Sequence, residues 1–139
     1  MAKTLHLDIV TPDGSAFSGD VETVVVPAWE GLLGVLPRHA PLMAALTAGE
    51  LRYRQEGKEQ RLAISGGFAQ IDPHKVVVLA DTAELAHQID EVRAKARLEQ
   101  KQQALKGVAL IDEAQVLAMQ ASLLKELVRI KVAEKGKRS

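Results

Sequence analysis

The feature that most constrains this chain is a single change in the period of its apolar residues, between Leu79 and Ala96. Upstream of it, apolar side chains alternate or come in short runs between Gly and Pro. Within it, Leu85, Ile89, Val92 and Ala96 recur every three or four residues. Period 2 belongs to strands and period 3.6 to helices, so one change of period divides the chain in two. The sequence predicts an N-terminal β domain over residues 1–82 and an antiparallel helical hairpin over residues 83–139.

A chain of 139 residues buries one core, or one modest core with an appendage. There is no cysteine, which excludes a disulfide framework and thiolate zinc sites. No run approaches the roughly 18 apolar residues of a membrane span, and the opening Met-Ala-Lys-Thr-Leu-His has no apolar signal region. The expectation is a soluble protein with no direct membrane insertion. Net charge is zero but uneven: residues 1–81 carry 10 acidic and 7 basic side chains, residues 82–139 carry 8 and 11. The basic excess gathers at Lys125, Arg129, Lys131, Lys135, Lys137 and Arg138. Nucleic acid is a poor match, because only Phe17, Trp29, Tyr53 and Phe68 are available for stacking. An acidic protein surface suits that tail better, and so does plain solvation of a helix end that welcomes positive charge.

In chain order, Leu5, Leu7 and Ile9 alternate with polar residues until Pro12-Asp13-Gly14 turns the chain. Val21 to Val26 is a second strand, dense in β-branched residues. From Ala28 to Pro41, Gly31, Gly34 and Pro37 rule out a helix and leave short extended pieces. Pro41 to Leu46 reads equally as a strand or a helical turn. Gln55-Glu56-Gly57-Lys58 is a hairpin loop returning into Leu62 and Ile64. Ser65-Gly66-Gly67 is a break, Asp72-Pro73-His74 a turn, and Val76 to Ala80 the last strand. Short strands with turns at this spacing make a small sandwich or barrel.

Asp81 or Thr82 is placed to cap the first helix, with Glu84 completing a capping box, and Gly107 ends it. The second helix runs from Asp112 to about Val132, with Leu110, Ala114, Leu117, Ala121, Leu124 and Val128 as a heptad-like seam. Both stripes are narrow and rich in Ala. At about 25 cal/mol per Å² of apolar area, such a pair is only marginally stable unless it rests on another surface.

No enzyme signature is present: no P-loop, no GxSxG elbow and no HExxH, so no catalytic residue is assigned. Ser65-Gly66-Gly67 has no matched base and reads as a bend. His6 and Asp8 share a strand face, which is too little for a metal site, and no metal ligand is assigned. Asp90, Arg93 and Arg97 follow one another along the first helix. They suit a local ion pair or an anion held by arginine, and spacing leaves both open. Arg38 and His39 sit in a loop stiffened by Gly and Pro, as a contact site or as part of a bend.

At this point the chain resembles the epsilon subunits of F-type ATP synthases of bacterial type. The residues that carry the resemblance are His6-Leu-Asp-Ile-Val-Thr-Pro12, Phe17-Ser-Gly19, Glu30 to Leu42 with its Gly-Val-Leu-Pro-Arg-His-Ala-Pro, Ser65-Gly-Gly-Phe68, Val78-Leu-Ala-Asp-Thr-Ala83 and Ile89-Asp-x-x-Arg-Ala94. It implies an N-terminal sandwich of about ten short strands followed by the antiparallel α-helical hairpin. It also implies a non-catalytic rotor subunit that joins gamma to the c-ring and couples proton or sodium flow to ATP synthesis. The hairpin would reach the alpha and beta subunits when extended and restrain ATP hydrolysis, with Lys125, Arg129 and Lys131 as inhibitory contacts. Arg38 and His39 become rotor contacts. Ile89, Asp90, Arg93, Ala94, Arg97, Lys125 and Arg129 become the candidate regulatory ATP site, ATP being a regulatory ligand and not a required cofactor. The place implied is peripheral, on the cytoplasmic face of the bacterial plasma membrane. The alternative is a stand-alone β-sandwich binding or adaptor module with a helical tail.

Overall fold

The alternating segments become strands whose core residues keep one parity in β1, β3 and β7 and change it within the long strands β5 and β6. In the computed structural model, which describes residues 3–107 and 113–138, the strands are β1 (Leu5–Thr11), β2 (Gly14–Val21), β3 (Thr23–Ala28), β4 (Gly31–Val35), β5 (Leu42–Gln55), β6 (Lys58–Ile71), β7 (Lys75–Ala80) and β8 (Ala83–Leu85). Their order is β2-β1-β7-β6-β5-β3-β4, with β8 on β6. The sheet closes over one apolar core as a sandwich. Leu7 and Ile9 of β1, Val24 and Val26 of β3, Leu51 of β5, Leu62 and Ile71 of β6, and Val76 and Val78 of β7 meet there, all buried.

Pro41 to Leu46 resolves in favour of a strand, because Leu42 to Leu46 pair with Ile71 to Gly67. The β5–β6 hairpin turns at Glu56 and Gly57, both with positive φ (51° and 76°), the geometry of a two-residue primed turn. Among the described residues there are eight strands where about ten were expected, because β5 and β6 are each 14 residues long.

Ser65-Gly66-Gly67 is the corner of β6, as its composition suggests. Residues Gly67 to Ile71 pair with β7, whereas Leu62 to Ile64 pair with β8. Gly67 has φ 135°, and a Cβ there would lie 1.9 Å from the carbonyl oxygen of Leu79. Only glycine fits.

The helices are α1 (Glu91–Gly107) and α2 (Glu113–Arg138), preceded by a 3-10 turn over Ala86–Gln88. The start of the first helix at Asp81 or Thr82 is therefore corrected by about three turns. Asp81 N–H donates to the carbonyl of Gly66, and the Thr82 carbonyl accepts from Ser65 N–H, so the backbone here is still closing the sheet. The cap is Asp90: its carboxylate accepts from Arg93 N–H at 3.0 Å and its carbonyl from Ala94 N–H at 2.9 Å. The second helix extends past Val132 to Arg138. Its expected cap Asp112 and the seam residue Leu110 lie outside the described residues.

Candidate functional site

The helical pair is folded down on the sandwich. α2 packs against β5, β6 and the 3-10 turn, and α1 packs against α2. A small apolar cluster of Ala63, Ile89, Val132 and Ala133, with Ala86 and Val128 beside it, carries this contact. At Gly136 the helix comes so close that a Cβ would lie 2.6 Å from that of Ala86.

Ion pairs supply much of the rest. Arg129 of α2 holds Glu84 of β8, with Nε 2.8 Å from Oε1 and Nη2 donating to Oε2 at 3.1 Å. Its Nη1 donates to Glu126 Oε2 at 3.0 Å, and Lys101 Nζ of α1 donates to Glu126 Oε1 at 3.0 Å. Burial works against the Arg129 charge. The hydrogen bonds and attraction of Glu84 and Glu126 outweigh it and raise its pKa above the usual value. Two cations and two carboxylates thus tie β8, α2 and α1 into one chain. Glu126 is only 5% exposed. Removing one partner of such a buried pair costs about 3–5 kcal/mol. Further along α2, Lys135 Nζ lies 3.4 Å from Glu50 of β5, which also pairs with Arg61 of β6. Lys95 of α1 bridges Glu91 at 3.1 Å and Glu134 at 3.7 Å.

This packing replaces the expected stripes. Leu117 is 60% exposed, and Ala114, Ala121 and Leu124 are exposed as well. The covered row is Val116, Met119, Leu123, Glu126, Ile130 and Ala133. On the first helix Val92 is 80% exposed and Ala96 also faces solvent, while Ala94 is buried and Leu98 half-buried. Leu85 belongs to β8.

The residues of the candidate ATP site take different roles. Ile89 and Ala94 are buried among apolar neighbours or under the helix, and Asp90 is the cap of α1. Arg93, Arg97 and Lys125 are exposed, and Arg129 is occupied by Glu84 and Glu126. Of the inhibitory trio, Lys125 and Lys131 face solvent while Arg129 does not. Arg38 is exposed at φ 68°, its N–H bound to the Pro73 carbonyl at 2.7 Å, and His39 Nδ1 meets the Ala40 carbonyl at 2.6 Å.

His6 and Asp8 do share a face, joined there by β2. His6 Nδ1 lies 3.0 Å from Asp20 Oδ1 and Nε2 lies 3.1 Å from Asp8 Oδ1, while Ser18 Oγ donates to Asp8 at 2.6 Å. Among the described residues, no three His, Asp or Glu side chains are placed to hold a metal ion. Among the same residues, no helix is long and apolar enough to cross a membrane.

One surface was not anticipated from the sequence. Val10 pairs with Leu79, Leu79 with Phe68, and Phe68 with Ala45, whose carbonyl accepts from Trp29 N–H. These residues form an apolar row across the outer side of the sheet, with Trp29 73% and Phe68 55% exposed. Leu32, Leu42 and Met43 continue it around a groove beside Trp29. The signal was parity. In a two-layer sandwich each strand has one inner side, so Leu79, out of step with Val76, Val78 and Ala80, must lie outside. A row of this kind on an isolated chain marks an interaction surface.

Comparison with known proteins agrees with this architecture. The family described as the ATP synthase delta/epsilon chain, beta-sandwich domain, matches residues 4–86. The ATP synthase epsilon chain of Desulforamulus reducens is 48% identical over 134 residues, spanning 96% of this chain and 100% of that one. That of Dehalococcoides mccartyi is 48% identical over 140 residues, spanning 99% and 97%. Among solved structures, a chain of the Euglena gracilis mitochondrial ATP synthase (OSCP, F1 and c-ring) superposes with a TM-score of 0.76 at 25% identity. The match covers 94% of this chain and 81% of that one.

Proposed function

The chain belongs to the epsilon-chain family of the ATP synthase, a non-catalytic subunit of that complex, and from that premise we propose that it is a rotor subunit linking gamma to the c-ring. In this reading the sandwich docks through its outer apolar row, and Arg38 and His39 add polar contacts at the loop that follows β4. The observation that carries it is the row from Val10 to Trp29: large apolar side chains left uncovered by the chain's own helices. Aromatic anchors of that kind dominate the energy of subunit interfaces.

The helical pair restrains ATP hydrolysis when it leaves the sandwich and extends toward alpha and beta. Support comes from how it is held. Ion pairs and a small apolar cluster are weaker ties than a continuous core, and Lys125 and Lys131 already face outward. The place of action is the cytoplasmic face of the bacterial plasma membrane, reached through the complex and not by insertion.

The test is steady-state ATP hydrolysis by the matching alpha–beta–gamma complex, with the full chain and with a version ending at Ala86. Both should bind, and only the full chain should lower the rate. If both bind and neither inhibits, the docking role stands and the inhibitory role falls. If neither binds, the stand-alone module is the better reading.

A further inference from the structure

Lys101 and Arg129 approach one point from two different helices, and at that point sits a carboxylate of the chain itself. We propose that Glu126 is a built-in counter-ion that closes the helical pair without any ligand, and that it occupies what would otherwise be a site for a phosphate-class anion. Each of its oxygens takes one cation, Lys101 and Arg129, both at 3.0 Å. The remaining edge of Arg129 is filled by Glu84. The charges of these four groups therefore balance, and neither Lys101 nor Arg129 is left to attract a soluble anion; Lys125, exposed beside Arg129, stands outside the cluster.

Beside Glu84, the cavity that Arg129 lines together with Ser65, Thr82 and Lys125, and that neither Lys101 nor Glu126 lines, has about 20 Å³, so that side of the guanidinium has no room for a phosphate group either. Covalent attachment decides the competition: Glu126 stands three residues before Arg129 on the same helix, so its local concentration exceeds that of any free anion. Closure of this pair is accordingly independent of nucleotide, and with Glu126 buried it is only weakly screened by salt. With Glu126 neutralised, the same two cations face each other with an unfilled charge between them, and closure becomes conditional on an added anion. The inference concerns the isolated chain and does not depend on docking to any other subunit.

Hydrogen exchange on the full chain tests it, read at the backbone amides of α2 with those of β1, β6 and β7 as the internal control for folding. Wild type should show α2 protection that changes less than twofold with ATP or inorganic phosphate, each compared with chloride at equal ionic strength. In Glu126→Gln, α2 protection should fall at least tenfold while the strands keep theirs, and inorganic phosphate should restore at least fivefold of it. Lys101→Met added to Glu126→Gln should abolish the rescue. The proposal is overturned if ATP or phosphate raises α2 protection in wild type. It is equally overturned if Glu126→Gln stays as protected as wild type, or if its loss is not rescued by phosphate.

Discussion

His6 shows how much one side chain can couple on a sheet face. It joins β1 to β2 through Asp20 and stands beside Asp8, which Lys75 of β7 also approaches at 3.5 Å. The hydrogen bond to Asp20 raises its pKa above 6.5, with Asp8 adding to the effect and partial burial opposing it. The Ser18 hydroxyl, followed by the charges of His6 and Lys75, holds Asp8 below its ordinary 3.8. A raised imidazole stabilises the fold in full below 6.5 and loses that contribution as pH climbs through its native value. A lowered carboxylate stabilises above 3.8 and loses its contribution as pH falls through its native value. The clasp is thus complete between these two ordinary values. NMR titration should place His6 above 6.5, and Asp20→Asn should bring it back down. An Asp20→Asn curve that overlays wild type would refute the assignment.

At the level of elements, the corner of β6 is the least forgiving point. Gly67→Ala would drive a methyl group into the Leu79 carbonyl at a φ that side chains avoid. We expect a loss of roughly 3 kcal/mol or more in chemical denaturation. A loss under about 1 kcal/mol would mean that the corner relaxes freely. That corner was legible in the sequence because two adjacent glycines inside a strand pattern mark a bend or a close backbone approach. The helix boundary was not. Asp81 and Glu84 have the spacing of a capping box, but the sheet claims the Asp81 backbone and Arg129 claims the Glu84 side chain. Both partners are distant in sequence, and no local pattern reports them. Glu126 misled in the same way. It breaks the apolar row that is actually covered, so the neighbouring row through Leu117 and Leu124 looked cleaner. Only the convergence of Lys101 and Arg129 makes that row tolerable to bury.

Taken whole, the molecule has one side finished by its own helices and another left for a partner. The fold class was readable because period 2 and period 3.6 occupy separate halves of the chain. The outer row was readable only once the sandwich was known, since an apolar residue of the wrong parity has meaning only relative to a core. Trp29→Ala tests the division. With its ring 73% exposed, the change should alter thermal stability by no more than about 0.5 kcal/mol. Binding to the alpha–beta–gamma complex should weaken by about 2 kcal/mol, roughly 30-fold, in a titration. Unchanged affinity would move the docking surface elsewhere.

The strand order has a consequence for how the chain is made. β1 lies inside the sheet, parallel to β7, with His6 to Val10 matched to Lys75 to Leu79. β1 leaves the ribosome well before β7 and must therefore wait for it before its inner edge is satisfied, a long-range pairing that folds slowly. Until then its backbone edge is open to wrong partners, and β2, joined by a tight turn, can guard only the other one. The helices emerge after that wait is over, onto a surface that already has its last long strand.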